Sequence, residues 1–365
     1  MNKKSPFLPI LELTRGGIVE STHFGAIAVV SPQDELVAWY ADPEAVTFLR
    51  STAKPFQALP LIEHGGQQAY QLSLREIALI CASHSGTDDH VAVAKSIQAK
   101  TGAKESDLLC GTHPLGHKPT IDAMAQRGES LSPNRHNCSG KHTGMVAYAR
   151  LLGVPYGPMD APYIDPNHPI QKDILSAFSA MCGIEPSKVV VGVDGCSAPN
   201  FAVPLRSAAL GFARLCDPIG LPEKRLQACR TITAAMTGNP DMVGGPDSFD
   251  THLMQVTKGK ILSKGGAEGY QGLGVMPNAI GPGSPALGIT FKVSDGDLGS
   301  HTHLPYGHAR PAVALEVLRQ LGALNAGEFD QLADYGPEFT IENWRKIQVG
   351  KGYPCFRLEK RSSSH

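Results

Sequence analysis

Runs that read as strands lie at the two ends of this chain, and runs that read as helices fill its middle. That order limits the possible folds more than any other feature of the sequence. Near the start, "GGIVE", "FGAIAVVS" and "ELVAWYA" are short, β-branched and bounded by turn residues, with Ser31-Pro32-Gln33-Asp34 as a hairpin turn. Far downstream, "KILSKGG", "EGYQGLGVM" and "ALGITFKVS" read the same way, and "SDGDLGS" is a turn before a last helix over about 308–321. Between them, "SLREIALICAS", "DDHVAVAKSIQAKTG", "TIDAMAQRG", "GKHTGMVAYARLLG", "PIQKDILSAFSAMCG", "SAALGFARLCD" and "EKRLQACRTITAAMTG" read as helices; several have apolar residues three to four apart and end in glycine. "KVVVGVDGC" reads as a buried strand inside this helical stretch. The expected fold class is therefore α+β: an antiparallel sheet built from N- and C-terminal strands and packed with helices, plus a mainly helical middle region. One domain over 1–365 is expected, with sheet-forming parts at about 14–50 and 258–350 and the helical part at about 51–257.

The stretch "FLRSTAKPFQALP" sets Ser51 and Lys54 three residues apart, on one helix face, just before an apolar run. Pro55 suits only a first helical turn, so both residues fall at the helix start, near unpaired N–H groups and the positive dipole end. Pro60 is expected to end or kink this helix. A desolvated lysine beside a serine can lose its proton and act as its base. An exposed Ser and Lys on an ordinary helix would look the same in sequence.

Hydrolases built on S-x-x-K carry two further motifs in fixed order, S-D-N and then K-T-G. Here Ser83-His84-Ser85 in "CASHSGTDDH" stands in the second place, and Lys264-Gly265-Gly266, closing a candidate strand, stands in the third. The roles follow from the chemistry. Ser51 attacks a carbonyl carbon, neutral Lys54 takes its proton, and Ser83 relays a proton to the leaving nitrogen. Lys264 supplies the positive charge that keeps Lys54 neutral, and the N–H of Ser51 with another near Gly265 can hold the oxyanion.

A second cluster, "NRHNCSGKHTGM", places Cys138, Lys141 and His142 at a helix start, and "VDGCSAPNF" brings Asp194 and Cys196 just after a strand. Two thiols from separate segments can form a metal site, with zinc the default for sulfur and nitrogen ligands, or they can be two small buried residues. Lys plus Arg is 33 and Asp plus Glu is 34, and no dense basic run occurs, so nothing marks a nucleic-acid partner. The opening "MNKKSPFLPILEL" is too short and too interrupted by proline for a signal peptide, and no run is long enough to span a membrane. A cytoplasmic protein is expected, with its eight cysteines as thiols or metal ligands.

Taken together, "TRGGIVESTH", "RSTAKPFQALP", "CASHSGTDDH", "NCSGKHTGM" and "GVDGCSAPNFAVPL" resemble the rhizobial-type L-asparaginase family, from about Thr14 to the last helix. The resemblance implies a fold similar to serine β-lactamases and their glutaminase relatives, a homodimer, and hydrolysis of L-asparagine to L-aspartate and ammonia. Its two Ser–Lys tandems fall on Ser51/Lys54 and Ser83/Lys264. Its zinc ligands fall on Cys138, Lys141 and Cys196, with the zinc organising the substrate site rather than supplying the nucleophile. Arg50, His142 and Asp194 match positions that line the same pocket. Rival readings are a glutaminase or other Ser–Lys acyl hydrolase, a zinc-dependent amidohydrolase, and an amino-acid-binding protein without activity.

Overall fold

The computed structural model describes residues 5–159, 161–297 and 308–361. Four strands open the chain: β1 (Leu8–Arg15), β2 (Ile18–Val30), β3 (Leu36–Tyr40) and β4 (Val46–Phe48). Two lie mid-chain, β5 (Val190–Val193) and β6 (Pro199–Pro204). Six close it: β7 (Ile261–Gly265), β8 (Tyr270–Val275), β9 (Leu287–Val293), β10 (Phe339–Glu342), β11 (Gln348–Pro354) and β12 (Glu359–Lys360). The helices begin with α1 (Lys54–Glu63), α2 (Gly66–Ala69), α3 (Leu74–Ile80), α4 (Asp88–Thr101), α5 (Lys118–Gln126), α6 (Ser139–Leu152) and α7 (Pro169–Cys182). They continue with α8 (Leu205–Cys216), α9 (Glu223–Gly238), α10 (Pro240–Gly244), α11 (Phe249–Val256), α12 (Ala309–Leu321) and α13 (Ala326–Gln331).

The chain forms two compact units. The first comprises Met1–Leu49, Val203–Asp217 and Val256–His365. Its antiparallel sheet runs β10-β11-β1-β2-β9-β8-β7, with β3 on β2 and β12 on β3. The two ends of the chain do build one sheet, and the expected α+β class is borne out. Strands β7 to β9 are buried at nearly every residue, so both of their faces are covered. Helix α8 packs on β2, β8 and β9, and α12 on β1, β8 and β11. Gly288 on β9 allows α8 its close approach: a Cβ there would lie 1.8 Å from the Ala209 carbonyl oxygen.

One reading at this end is corrected. "GGIVE" and "FGAIAVVS" are one 13-residue strand, β2, because its first half pairs with β1 and its second with β3 and β9. "LPILEL" is part of β1 despite Pro9, which sits where the register shifts and a ladder N–H is not needed. The Ser31–Asp34 turn is present, closed by the Asp34 N–H donating to Ser31 O at 3.1 Å. Of "SDGDLGS", residues 294–297 form a turn and 298–300 lie outside the described residues.

The second unit, Arg50–Ala202 and Pro218–Gln255, is mainly helical. Helix α1 is its centre: α2, α3, α6, α7 and α9 all pack against it, and every residue from Lys54 to Ile62 is buried. Its apolar residues, from Phe56 to Ile62, suit a helix covered on every side. Pro60 does not end it; α1 continues to Glu63. Strands β5 and β6 pair antiparallel from Val190↔Ala202 to Val193↔Pro199. Contrary to the sequence reading, β5 is not buried, since Val190 is 53% and Val193 79% exposed. An unbroken apolar run suggests two covered faces, but β5 is an edge strand with one neighbour. Among the described residues no helix is long and apolar enough to cross a membrane.

Candidate active site

Nine of the ten side chains singled out from sequence belong to the helical unit; Lys264 belongs to the sheet unit, buried on β7, where its Nζ donates to the Gly265 carbonyl at 2.6 Å. Arg50 opens the site in a left-handed conformation, φ 53°, which a side-chain-bearing residue adopts only when its surroundings impose it. Two contacts do so. Its N–H donates to Asn200 Oδ1 at 3.1 Å, and its Nε donates to Asp194 Oδ1 at 2.8 Å. Ser51 follows in a single 3₁₀ turn, Arg50–Ala53, and the α-helix itself starts at Lys54, with Pro55 in the first turn where no N–H is required.

Lys54 is 1% exposed. Its Nζ donates to the carbonyls of Ala82 at 2.5 Å and Asn137 at 3.3 Å and lies 2.9 Å from Ser83 Oγ. The carbonyls can only accept, whereas a hydroxyl can accept or donate. An ammonium therefore finds three acceptors here, and a neutral amine keeps its two N–H bonds while its lone pair takes the Ser83 proton. Among the described residues, no hydrogen bond joins Lys54 to Ser51. The sequence spacing paired those two; the fold pairs Lys54 with Ser83.

Ser83 is delivered by α3, which starts on a Ser73/Glu76 capping box, and its N–H donates to Val243 O at 2.9 Å. The next residue, His84, accepts the Gly86 N–H on Nδ1 at 3.1 Å, so its proton is on Nε2, which donates to Ser139 Oγ at 2.8 Å. Burial, with His90 and Lys54 nearby, holds His84 well below the usual histidine range and therefore neutral. Asn137 is fixed at both ends of its backbone: His113 Nε2 accepts its N–H at 2.9 Å, and its carbonyl faces Lys54.

Cys138 sits at the N-terminus of α6, and Lys141 and His142 lie in its first turn. Gly140 lets this turn touch α3, because a Cβ there would lie 2.1 Å from the Leu79 carbonyl oxygen. Asp194 and Cys196 occupy the tight turn between β5 and β6, where the Asp194 N–H donates to Ala198 O at 3.0 Å. The turn faces α6: Lys141 Nζ donates to Cys196 Sγ at 3.0 Å. Both thiols are buried. Cys196, then Lys54 and Lys141, hold Cys138 well below the usual thiol range against the effect of burial, while Cys196 is pushed up by Cys138 and by burial. Lys141 favours the charged form of either sulfur. Burial would lower Lys141, but Cys196, Cys138 and Asp194 raise it. Burial likewise opposes the charge on Asp194, which Lys141 and Arg50 restore.

Two thiols and an amine form a donor set that suits zinc, and Cys196 and Lys141 are already in contact. Among the described residues no group of three or more His, Cys, Asp or Glu could hold a metal, so the fit depends on the lysine. The eight cysteines are free thiols.

Sequence reasoning did not single out Asn137, Tyr163 or Asn200. Asn200 and Asn137 act through backbone contacts that no spacing reveals. Tyr163 meets His142 Nδ1 through its hydroxyl at 2.6 Å, across 21 residues.

The candidate site thus joins a buried lysine to one serine hydroxyl, one turn from a second serine. The L-asparaginase II family model matches residues 11–353, so the chain belongs to that family, the one its motifs resemble, and is an amidohydrolase. No curated protein matches the chain. Solved structures similar to it include the Bacillus subtilis glutaminase in covalent complex with 5-oxo-L-norleucine, at 10% identity and TM-score 0.37, covering 83% of this chain and 89% of that one. Another is a probable glutaminase from Bacillus subtilis complexed with 6-diazo-5-oxo-L-norleucine, at 10% identity and TM-score 0.39, covering 81% and 84%. Likeness this distant adds nothing to the fold read from the chain's own elements.

Proposed function

We propose that the chain hydrolyses L-asparagine to L-aspartate and ammonia through an acyl-enzyme on Ser51. The supporting observation is the Lys54 amine, buried one turn from Ser51 with Ser83 at 2.9 Å. In this reading Ser51 Oγ attacks the side-chain amide carbon and Lys54 takes its proton. Ser83, in contact with Lys54, passes a proton to the amide nitrogen, which leaves as ammonia. Water then attacks the ester, Lys54 takes its proton, and Ser51 departs protonated. The Lys54–Ser83 contact also favours a second reading, in which Ser83 is the nucleophile and Lys54 its base. Lys264, the partner the resemblance gives Ser83, is tested by Lys264→Gln.

The α-carboxylate and α-ammonium of an amino acid need two opposite charges at fixed separation, and Arg50 and Asp194 orient each other at 2.8 Å. Clamping both ends fixes where the amide carbon sits. Glutamine is longer by one methylene, and a displacement of about 1 Å can cost on the order of 10² in rate. Cys138, Lys141 and Cys196 would hold zinc. Bound there, zinc would supply positive charge that organises the polar end of the substrate. A homodimer and a cytoplasmic location belong to the same reading, and light scattering tests the first. The function is tested by ammonia release from L-asparagine, L-glutamine and N-acetyl-asparagine at equal concentration. Asparagine should exceed glutamine about a hundredfold, with no turnover of the blocked amine. Comparable rates on glutamine would make the enzyme a glutaminase.

A further inference from the structure

We propose that Asn200 is a latch on the backbone of Arg50, and that by holding Arg50 left-handed it fixes where the next residue, Ser51, presents its hydroxyl. Two contacts from the start of β6 bracket the turn that carries Ser51 and Lys54. Before the turn, Asn200 Oδ1 accepts the Arg50 N–H at 3.1 Å. After it, the Pro199 carbonyl accepts from Gln57 Nε2, on α1, at 3.2 Å. Asn200 and Gln57 are both buried, and β5 holds Asn200 in register opposite Gly192. Two adjacent residues of one strand thus pin the chain on either side of the proposed nucleophile and its base.

A φ of 53° is disfavoured for a residue with a Cβ, on the order of tenfold or more in population. Arginine has no short polar side chain to bond its own backbone and offset this, as asparagine or aspartate does. The Asp194 contact is made by the guanidinium Nε, beyond three methylenes, so it restrains the side chain more than the main chain. The Asn200 contact is made by the main-chain N–H itself, and it fixes the plane of the peptide that enters Arg50. With that plane held on one side and Gln57 on the other, φ at Arg50 cannot return to a negative value without swinging Ser51. Once Asn200 lets go, the peptide plane is free to turn, φ can relax, and Ser51 moves with it.

Asn200 is therefore a positioning residue that acts through the Arg50 main chain. Its role rests on the reading of Ser51 as nucleophile. Glycine reaches positive φ without penalty, so Arg50→Gly removes the need for a latch and separates backbone control from a general loss of packing.

Asn200→Leu should lower kcat for L-asparagine by about tenfold to a hundredfold with KM within about threefold of the parent, as a displaced nucleophile does and a lost binding contact does not. Asn200→Asp keeps an oxygen for the N–H and should stay within about threefold of the parental kcat. In the Arg50→Gly enzyme, adding Asn200→Leu should lower kcat by less than about threefold, whatever Arg50→Gly does to KM. Asn200→Ala takes the place of Asn200→Leu if the leucine variant does not fold. Parental kcat in the folded Leu or Ala variant overturns the proposal, and so does an undiminished loss in the Arg50→Gly background. Ser51→Ala, measured beside them, tells two failures apart. Parental activity in Ser51→Ala removes the nucleophile reading, whereas an inactive Ser51→Ala with a fully active Asn200→Leu removes only the latch. A crystal structure of Asn200→Leu without substrate is a check that needs no activity. It should show Arg50 at negative φ and Ser51 Oγ displaced; Arg50 still at positive φ with Ser51 in place overturns the proposal.

Discussion

At the scale of residues, the proposed chemistry turns on a lysine whose partners are mostly invisible in the sequence. S-x-x-K marks Ser51 and Lys54, and "CASHSG" marks Ser83, so the identities were legible. That Lys54 meets Ser83 and two carbonyls was not, because those groups arrive from the end of α3 and the start of α6. Ser51→Ala should lose activity by on the order of 10³ or more while folding normally. A folded variant within tenfold of the parent would shift the nucleophile to Ser83. Lys54→Arg should be nearly inactive, since guanidinium does not give up its proton at working pH. Lys54→Met removes the donor from the carbonyls of Ala82 and Asn137, and should cost about 2 kcal/mol or more of stability. A Met variant with an unchanged urea midpoint would mean that water or other donors replace the amine.

Among the elements, those with local signals were legible and those decided by neighbours were not. The helices after Ser73 and Thr87 carry capping boxes and appear where the sequence puts them. Pro60 does not end α1, because a helix buried on all sides tolerates one missing N–H when packing holds it. The exposure of β5 was hidden for the opposite reason: an apolar run does not say whether a neighbour exists. Helix α6 depends on one glycine. Gly140→Ala would drive a methyl into the Leu79 carbonyl and push Cys138 and Lys141 away from the β5–β6 turn. It should cost about 1–3 kcal/mol and reduce activity and zinc uptake together. Parental zinc content and activity in this variant would show that α6 shifts without disturbing the cluster.

For the whole molecule, the order of strands and helices in the sequence was enough to give the α+β class. It was not enough to assign α8, a helix in the middle of the chain that belongs to the sheet unit, because packing on β2, β8 and β9, with the close approach at Gly288, places it there. Buried neutral histidines set the acid limit of the fold. Burial pushes His90 down from 6.5 to about 4, and His84 well below 6.5. Between those values the unfolded chain binds the protons that the native state refuses, so stability falls as pH drops from 6.5 towards 4, by up to about 3 kcal/mol for His90. Denaturant midpoints at pH 7 and 4.5 check this, and His90→Gln should remove part of the difference and leave the share of His84; equal midpoints in the parent would contradict it. Zinc should bind one per chain and weaken as pH falls, because Lys141 must lose its proton to ligate. Equal zinc in a Cys138→Ser/Cys196→Ser double variant would place the metal elsewhere. The central claim is that Ser51, activated by Lys54, carries the acyl group. It is tested most directly by inactivating the enzyme with a diazoketone analogue of asparagine and mapping the adduct by peptide mass spectrometry. The adduct should lie on Ser51 and be absent from Ser51→Ala; an adduct on Ser83, or full turnover with no serine ever modified, would contradict it.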